Sequence, residues 1–510
     1  MIVKAPGPGN TNQTSSFSTF LSNFKTRLAD IFQNHENIEH LSIQRGIPPI
    51  ILNDIMATNP LSVGIPTQYG GRGGHIQECL SLMEATSHES LALSLTFGIN
   101  IALFLQPFSK YGDESLKTAV FSDFLKEHKM GGLMITEPNH GSDALHMQTN
   151  YSREGEFFHI NGIKHWAGLT GSADYWLLAA RQKTSQTNLA RDIDFFLCDI
   201  KSPGQQIVVE EKFNNLGLYN IPYGRNRLDV RVPIAHRLQP HTTGLKLMLD
   251  LLHHSRMMMP GIGLGFIQRN LQEAIRHSKE RKVGGKLLFD FDQVQARIAN
   301  IQAAYTILSA MCIYSSREAT TEADLSSYGL EANIIKTVVS DLMHESAQSL
   351  LQLTGAKGYK LDHIAGRGTV DSRPFQIFEG SNDILYFQIT ESVIKSMRHK
   401  QEKNLFNFLK KHPISLRAAE YVKDITKFEP TVILAQRKQI ELGRAIARIF
   451  SIGFVLNLGD LGFRKDLING AITILLQEIC TIMESYRFGD SPLVVEDYKE
   501  NGEWLEYLSL

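Results

Sequence analysis

The sequence predicts an α+β protein whose helices and strands are segregated along the chain, because the spacing of its apolar residues changes twice. From about Ser16 to Lys129 they recur at three and four; from about Met130 to Leu238 they gather in short β-prone runs; from about Thr243 to Met397 the helical spacing returns. Composition agrees: 43% hydrophobic and 21% charged residues over 510 positions make an ordinary globular chain, long enough for roughly two to four domains and neither disordered nor fibrous. The 52 Lys plus Arg balance 53 Asp plus Glu, so no global field draws the chain to nucleic acid or an anionic membrane.

Taken in order, Met1 to Phe20 is Ser/Thr/Asn-rich with only Lys4 charged, and reads as a loose arm without signal-peptide or presequence character. Phe20-Leu21, Phe24 and Leu28, then Leu80, Leu82 and Met83, mark amphipathic helices; Gly64 to Gly74 is too rich in Gly and Pro for a helix and reads as a loop. The longest apolar run, Leu91 to Leu105, is interrupted by Ser94, Thr96 and Asn100, short of the roughly 18 uninterrupted apolar residues of a membrane span, so a soluble, cytoplasmic protein is expected. Asn161-Gly162 lies between Phe157–Ile160 and Ile163–Trp166 and predicts a hairpin with a type I′ turn. Strands are expected at Tyr175–Ala180, Asp194–Cys198 and 206–210, and long helices at Gln293–Arg317 and 329–352. Beyond Arg398, further helices are expected at 405–410, 416–425, 433–456 and 467–486. The expected domains are therefore 1–129, 130–240, 241–398 and 399–510. Cys79, Cys198, Cys312 and Cys480 are widely spaced, without a C-x-x-C pair, and are expected to be reduced and buried.

Two stretches do not read as core: Met134 to Asp143 (M-I-T-E-P-N-H-G-S-D) and Phe378-Glu379-Gly380-Ser381-Asn382-Asp383. Both set hydroxylated and acidic residues around glycine, as backbone does where it closely approaches a ligand. Together with the Gly64–Gly74 loop, Asn161-Gly162-x-Lys164-x-Trp166, Arg256 in H-H-S-R, Glu280-Arg281-Lys282 with Gly285, and Gln352 to Tyr359, they resemble in order and spacing the motifs of the acyl-CoA dehydrogenase family. The resemblance runs from roughly Ile38 to His399. It implies an N-terminal helical domain, a small middle β-barrel domain and a C-terminal four-helix-bundle domain, to which residues 399–510 add helices.

The resemblance further implies FAD as cofactor and α,β-dehydrogenation of an acyl thioester carried by coenzyme A or a carrier protein. Glu379 is the implied base: a lone carboxylate in an apolar setting has its pKa raised toward a range where it can both hold and release a proton. Ser255 stands where some family members carry the base instead, and cannot serve. Met134, Ile135, Thr136, Ser142 and Trp166 are the implied flavin contacts, and Ser381 and Asp383 the pyrophosphate and adenosine side. Arg281, Gln352 and Gly355 would reach a partner subunit's cofactor, so a homodimer or homotetramer is expected. Ser142, Arg256 and Gly380 are implied to meet the substrate, and an electron-transferring flavoprotein to accept the electrons.

Departures from the family pattern fall at Gly168, Gly284, Asp292, Ala356 and Val370, and mark a divergent member. His140, His165, His253 and His254 lack metal-ligand spacing, so no metal site is expected. The other functional readings are a flavin oxidase or monooxygenase on the same fold, against which Glu379 counts, and a non-catalytic or nucleic-acid-associated relative, against which the balanced charge counts. The added helices are expected to pack across an interface rather than on a membrane, because Arg448, Asp460 and Glu478 interrupt their apolar stretches.

Overall fold

A computed structural model describes residues 16–34, 43–185, 188–430, 435–489 and 492–508. Most of the expected N-terminal arm, together with Ile38 and Ile433, lies outside the described residues; Phe17–Phe20 belong to a helix.

Helices α1 (Phe17–Asn34), α2 (Pro49–Met56), α3 (Ile76–Glu89), α4 (Leu91–Asn100), α5 (Gln106–Tyr111) and α6 (Glu114–Lys126) precede the first strand. The Gly/Pro-rich stretch forms turns between α2 and α3. Ser90 caps α4, its hydroxyl accepting the Leu93 N–H at 3.3 Å, and a π-helical turn, Ile101–Leu105, joins α4 to α5. Asn100 at that junction is buried, and its side-chain oxygen accepts the Gly131 N–H at 2.7 Å, fastening the helical layer to the sheet.

The sheet is curled and seven-stranded: β1 (Gly131–Met134), β2 (Asn150–Glu154), β3 (Phe157–Gly168), β4 (Tyr175–Gln182), β5 (Asp194–Asp199), β6 (Ile207–Lys212) and β7 (Tyr223–Pro233). Its order is β1-β4-β2-β3-β7-β6, with β5 on β4. The expected turn at Asn161-Gly162 is corrected: both residues lie inside the continuous strand β3, paired with Asp229 and Leu228 of β7, and the hairpin turns instead at Gly155-Glu156. Gly162 is small for another reason, since a Cβ there would collide with the backbone and side chain of Thr149. Strand β7, unread in the sequence, alternates buried Leu228, Val230 and Val232 with outward Arg227, Asp229 and Arg231.

The third layer comprises α7 (Gly244–Glu280), α8 (Asp292–Glu318), α9 (Gly329–Thr354), α10 (Ile364–Ser372) and α11 (Asn382–His399). Central α7 packs against α3 on one side and α8 and α9 on the other. The chain continues as α12 (Leu405–Lys411), two single turns α13 (Ala418–Tyr421) and α14 (Lys423–Thr426), and the long pair α15 (Gln436–Asp460) and α16 (Lys465–Arg487). The helix expected over 416–425 is broken at Val422, a β-branched residue whose φ of −118° is not helical.

Helix α15 packs on α11, and both α15 and α16 pack on α8. Gly443 permits the first contact, because any side chain there would collide with the Tyr386 carbonyl. Among the described residues, three helices are long and apolar enough to cross a membrane: Leu91–Tyr111, α15 and α16. The first two are largely buried in the fold, and α16 turns Asn469, Thr473, Gln477, Glu484 and Ser485 outward. Cys480 is on that face and is exposed, and Cys312 is only partly buried, contrary to the expectation of four buried thiols.

Candidate active site

Helix α7 brings Ser255 and Arg256 beneath the segment that carries Glu379, and α9 brings Asn333 and Lys336 to its other side. Pro260, one turn beyond Arg256 inside α7, removes a backbone donor and loosens the helix there. Glu379 has φ +54°, an uncommon conformation for a residue with a side chain, and Gly380 follows at φ +93°. Buried cations hold the pair in place: Arg256 Nη2 donates to the Glu379 carbonyl at 2.6 Å, and Lys336 Nζ donates to the Gly380 carbonyl at 2.7 Å.

With its backbone so held, Glu379 turns its carboxylate toward a small cavity of about 20 Å³, lined on the apolar side by Leu95, Ile99, Met258, Met259, Ile262 and Phe375. Ser255 Oγ donates to Glu379 Oε1 at 2.7 Å; Oε2 is shielded from solvent and takes no hydrogen bond. Burial raises the carboxyl pKa above the ordinary glutamate range, opposed by Arg256, the Ser255 hydrogen bond and Lys336. Burial likewise pushes the Lys336 ammonium down to about 7. Lys336 was not singled out in the sequence, because a lone Lys in a helix gives no local signal of the loop it supports.

Arg256, expected to meet the substrate, is buried, with Nη1 on Asn333 Oδ1 at 2.7 Å and Nη2 on the Glu379 carbonyl. The Gly380 carbonyl is likewise committed, to Lys336.

On the sheet side, β1 and the backbone after it run beside β3. The His165 N–H donates to the Thr136 carbonyl at 2.8 Å and Lys164 Nζ to the Ile135 carbonyl at 3.0 Å, so Met134, Ile135, Thr136 and Trp166 share one edge. Beneath them Lys164, fully buried, pairs with Glu137 at 3.0 Å, while the Glu137 carboxylate accepts the N–H groups of Gln148 and Thr149. The T-E-P and N-G-x-K-x-W motifs are thus two halves of one buried ion pair, which their separation in sequence concealed. Trp166 sits at a bulge with φ +57°, 52% exposed and tilted against Phe213 at 4.5 Å. A strained, half-exposed tryptophan is better suited to being a platform than core packing. At the end of β3, the departure Gly168 is matched to its neighbour: a Cβ there would lie 2.8 Å from Ile99, which lines the Glu379 cavity.

Ser142 is exposed in a turn beside His140 and Asp143. Ser381 opens α11 without its side chain capping the helix, leaving first-turn N–H groups available to an anion, and Asp383 is exposed two residues further on in the same turn. Arg281, Gln352 and Gly355 are exposed. Arg281 follows α7, 25 residues past Arg256, or ~37 Å along a helix. It shares its surroundings with Lys357 of the turn after α9, since both depress the protonation of His277. Of the histidines, His253 and His254 are buried on the Leu325 and Ala323 carbonyls, at 2.6 and 3.0 Å.

A helical layer, a curled sheet and a helical bundle in this order, with a carboxylate enclosed against α4 and α7, make the three-layer architecture that the sequence resemblance implied. Family models agree: the acyl-CoA dehydrogenase N-terminal domain matches residues 24–128, the middle domain 132–230 and the C-terminal domain 242–394. The chain belongs to the acyl-CoA dehydrogenase family, whose members are oxidoreductases acting on CH–CH bonds. It is 27% identical to glutaryl-CoA dehydrogenase of Desulfococcus multivorans over 63% of this chain and 82% of that one. It is 25% identical to mitochondrial isovaleryl-CoA dehydrogenase of Pongo abelii over 64% and 76%. In fold it is similar to the acyl-CoA dehydrogenase of Bacillus anthracis complexed with FAD (TM-score 0.73, 16% identity, 93% of this chain and 88% of that one). A prolyl acyl carrier protein oxidase gives TM-score 0.67 at 17% identity, over 74% and 99%.

Proposed function

We propose that this protein is an FAD-dependent dehydrogenase that removes hydrogens from the α and β carbons of an acyl thioester, with Glu379 as the α-proton base. One observation carries the reading: a carboxylate with one oxygen fixed by Ser255 and the other enclosed, unpaired, at an apolar cavity. Burial opposes its charge, so the ionised form is a stronger base than an exposed glutamate while buried cations keep it accessible. Glu379 accepts the α proton at Oε2, and Ser255 steadies the carboxylate in the geometry it needs.

The residues present fit FAD. The half-exposed Trp166 beside the 134–136 backbone edge offers a ring platform with polar groups, and the unoccupied cap of α11 at Ser381 suits a pyrophosphate. When bound, FAD supplies the hydride acceptor for the β carbon. Arg281 lies ~37 Å along α7 from Arg256, too far to serve the same ring as Glu379, which favours contact of Arg281 with a partner subunit's cofactor and hence a dimer or tetramer; Gln352 and Gly355 are assigned to that same contact by the family resemblance. Relatives named for coenzyme A thioesters and a structural neighbour named for a carrier protein leave both handles as substrates to assay. An electron-transferring flavoprotein is the electron acceptor to assay first.

Anaerobic bleaching of the purified protein's flavin by coenzyme A and carrier-protein thioesters tests the reading. Glu379→Gln is expected to slow bleaching by about 10²–10⁴-fold with flavin still bound. Bleaching of that variant at the wild-type rate overturns the base assignment, and failure of every thioester to bleach the wild type overturns the dehydrogenase reading.

A further inference from the structure

The loop carrying Glu379 is pinned at both ends by one oxygen. Gln376, three residues before, and Asn382, three residues after, each donate to Asp341 Oδ1 at 2.7 Å. Asn382 Oδ1 in turn accepts from Lys336 Nζ at 2.8 Å, the same ammonium that holds the Gly380 carbonyl. Asp341 is buried on α9, where solitary charge is costly; burial alone would raise its pKa, and Arg448 with the Tyr386, Gln376 and Asn382 donors holds it low instead.

Arg448 comes from α15, in the added region beyond the family models. Its guanidinium is 1% exposed, with Nη1 on Tyr386 Oη at 2.9 Å, Nη2 at 3.4 Å from Asp341 Oδ2 and Nε on Glu478 of α16 at 2.8 Å; the Tyr386 hydroxyl donates to Asp341 Oδ2 at 2.6 Å. Glu345 of α9 also lies near it, with its side chain reaching solvent. A buried arginine spans five donors in a fixed plane, so it can hold Asp341 and Glu478 at once where an apolar contact could not.

We propose that Arg448 is a positioning residue for Glu379, and that the added helices α15 and α16 act on the active site through the contact chain Arg448–Asp341–Gln376/Asn382–Lys336. The effect on turnover rests on the dehydrogenase reading; the effect on loop order does not. Arg448→Met preserves side-chain bulk while leaving Asp341 without its cation, so the loop is expected to lose its anchors although the distant surfaces stay intact.

Hydrogen exchange followed by mass spectrometry reads loop order on the flavin-bound protein, and flavin reduction at saturating thioester reads turnover. In Arg448→Met, amides of 376–382 are expected to exchange at least tenfold faster and saturating reduction to fall at least tenfold, with the half-saturating thioester concentration unchanged. Ile468→Ala, which loosens α16 against Gly459 without touching Arg448, is expected to lower the melting temperature and leave both readouts at wild type. Should Arg448→Met fail to fold, Tyr386→Phe, which removes one hydroxyl from the same chain of contacts, is expected to speed exchange over 376–382. Wild-type exchange of that segment in the folded Arg448→Met, or in Tyr386→Phe where that variant decides, overturns the proposal, as does an equal effect from Ile468→Ala. A wild type that no thioester bleaches retires the dehydrogenase reading alone, since exchange still tests the coupling.

Discussion

At the scale of single residues, the acidity of Glu379 is set by opposing neighbours that can be separated. Burial raises its pKa; the cations facing it, Arg256 and Lys336, and the Ser255 hydroxyl lower it, and the apolar wall of α4 contributes no charge. Proton abstraction needs the ionised form, so the rate rises as pH climbs through that pKa. Ser255→Ala removes a hydrogen bond that favours the ionised form, so the midpoint of the pH–rate profile for flavin bleaching is expected to move upward. A midpoint that stays or falls would count against Ser255 as a partner of the base. The cavity itself, about 20 Å³, has room for roughly one water, so any acyl chain needs neighbouring side chains such as Met258 and Met259 to move, and a longer chain needs more of that movement. Short acyl thioesters are accordingly expected to be preferred, and Met259→Ala to raise the relative rate with longer ones; an unchanged chain-length profile would sink that reading.

Among elements, β1 and β3 share no ladder, and the backbone after β1 is held to β3 by a buried charge pair and the His165–Thr136 backbone bond. Lys164 lies beneath both the Ile135 carbonyl and Glu137, and burial pushes it down to about 8. Lys164→Met leaves Glu137 buried without a cation and is expected to cost about 3–5 kcal/mol in chemical denaturation, whereas Lys164→Met with Glu137→Leu costs less. A single-variant loss below about 1 kcal/mol would show the pair to be dispensable. The sequence displayed both motifs but not their pairing, because Glu137 and Lys164 are 27 residues apart and only the folding of the loop after β1 against β3 brings them together. Register explains the misplaced hairpin: Asn-Gly suits a tight turn, yet in β3 the glycine makes room for Thr149 while Gly155-Glu156 turns the chain.

For the whole molecule, one long helix separates two groups of candidate residues. Glu379 meets α7 at Ser255, while Arg281 follows the end of that helix with Lys357 nearby. Arg281→Ala alters an exposed side chain, so stability is expected to change by less than about 0.5 kcal/mol. Flavin retention through gel filtration is expected to fall while the oligomer persists. Full flavin content in that variant would exclude a cross-subunit role.

Periodicity and motif were enough to read the order of layers, the helices of the bundle and the segment bearing Glu379, because those signals are local: spacing of apolar residues, and glycine beside acid. Arg256 as a clamp on backbone, Lys336 beneath Gly380, and Arg448 reaching Asp341 from a helix 107 positions later became visible only in three dimensions. Each is a long side chain inside a helix, where its chemistry depends on which neighbour it meets, and that is decided by packing between elements far apart in the chain.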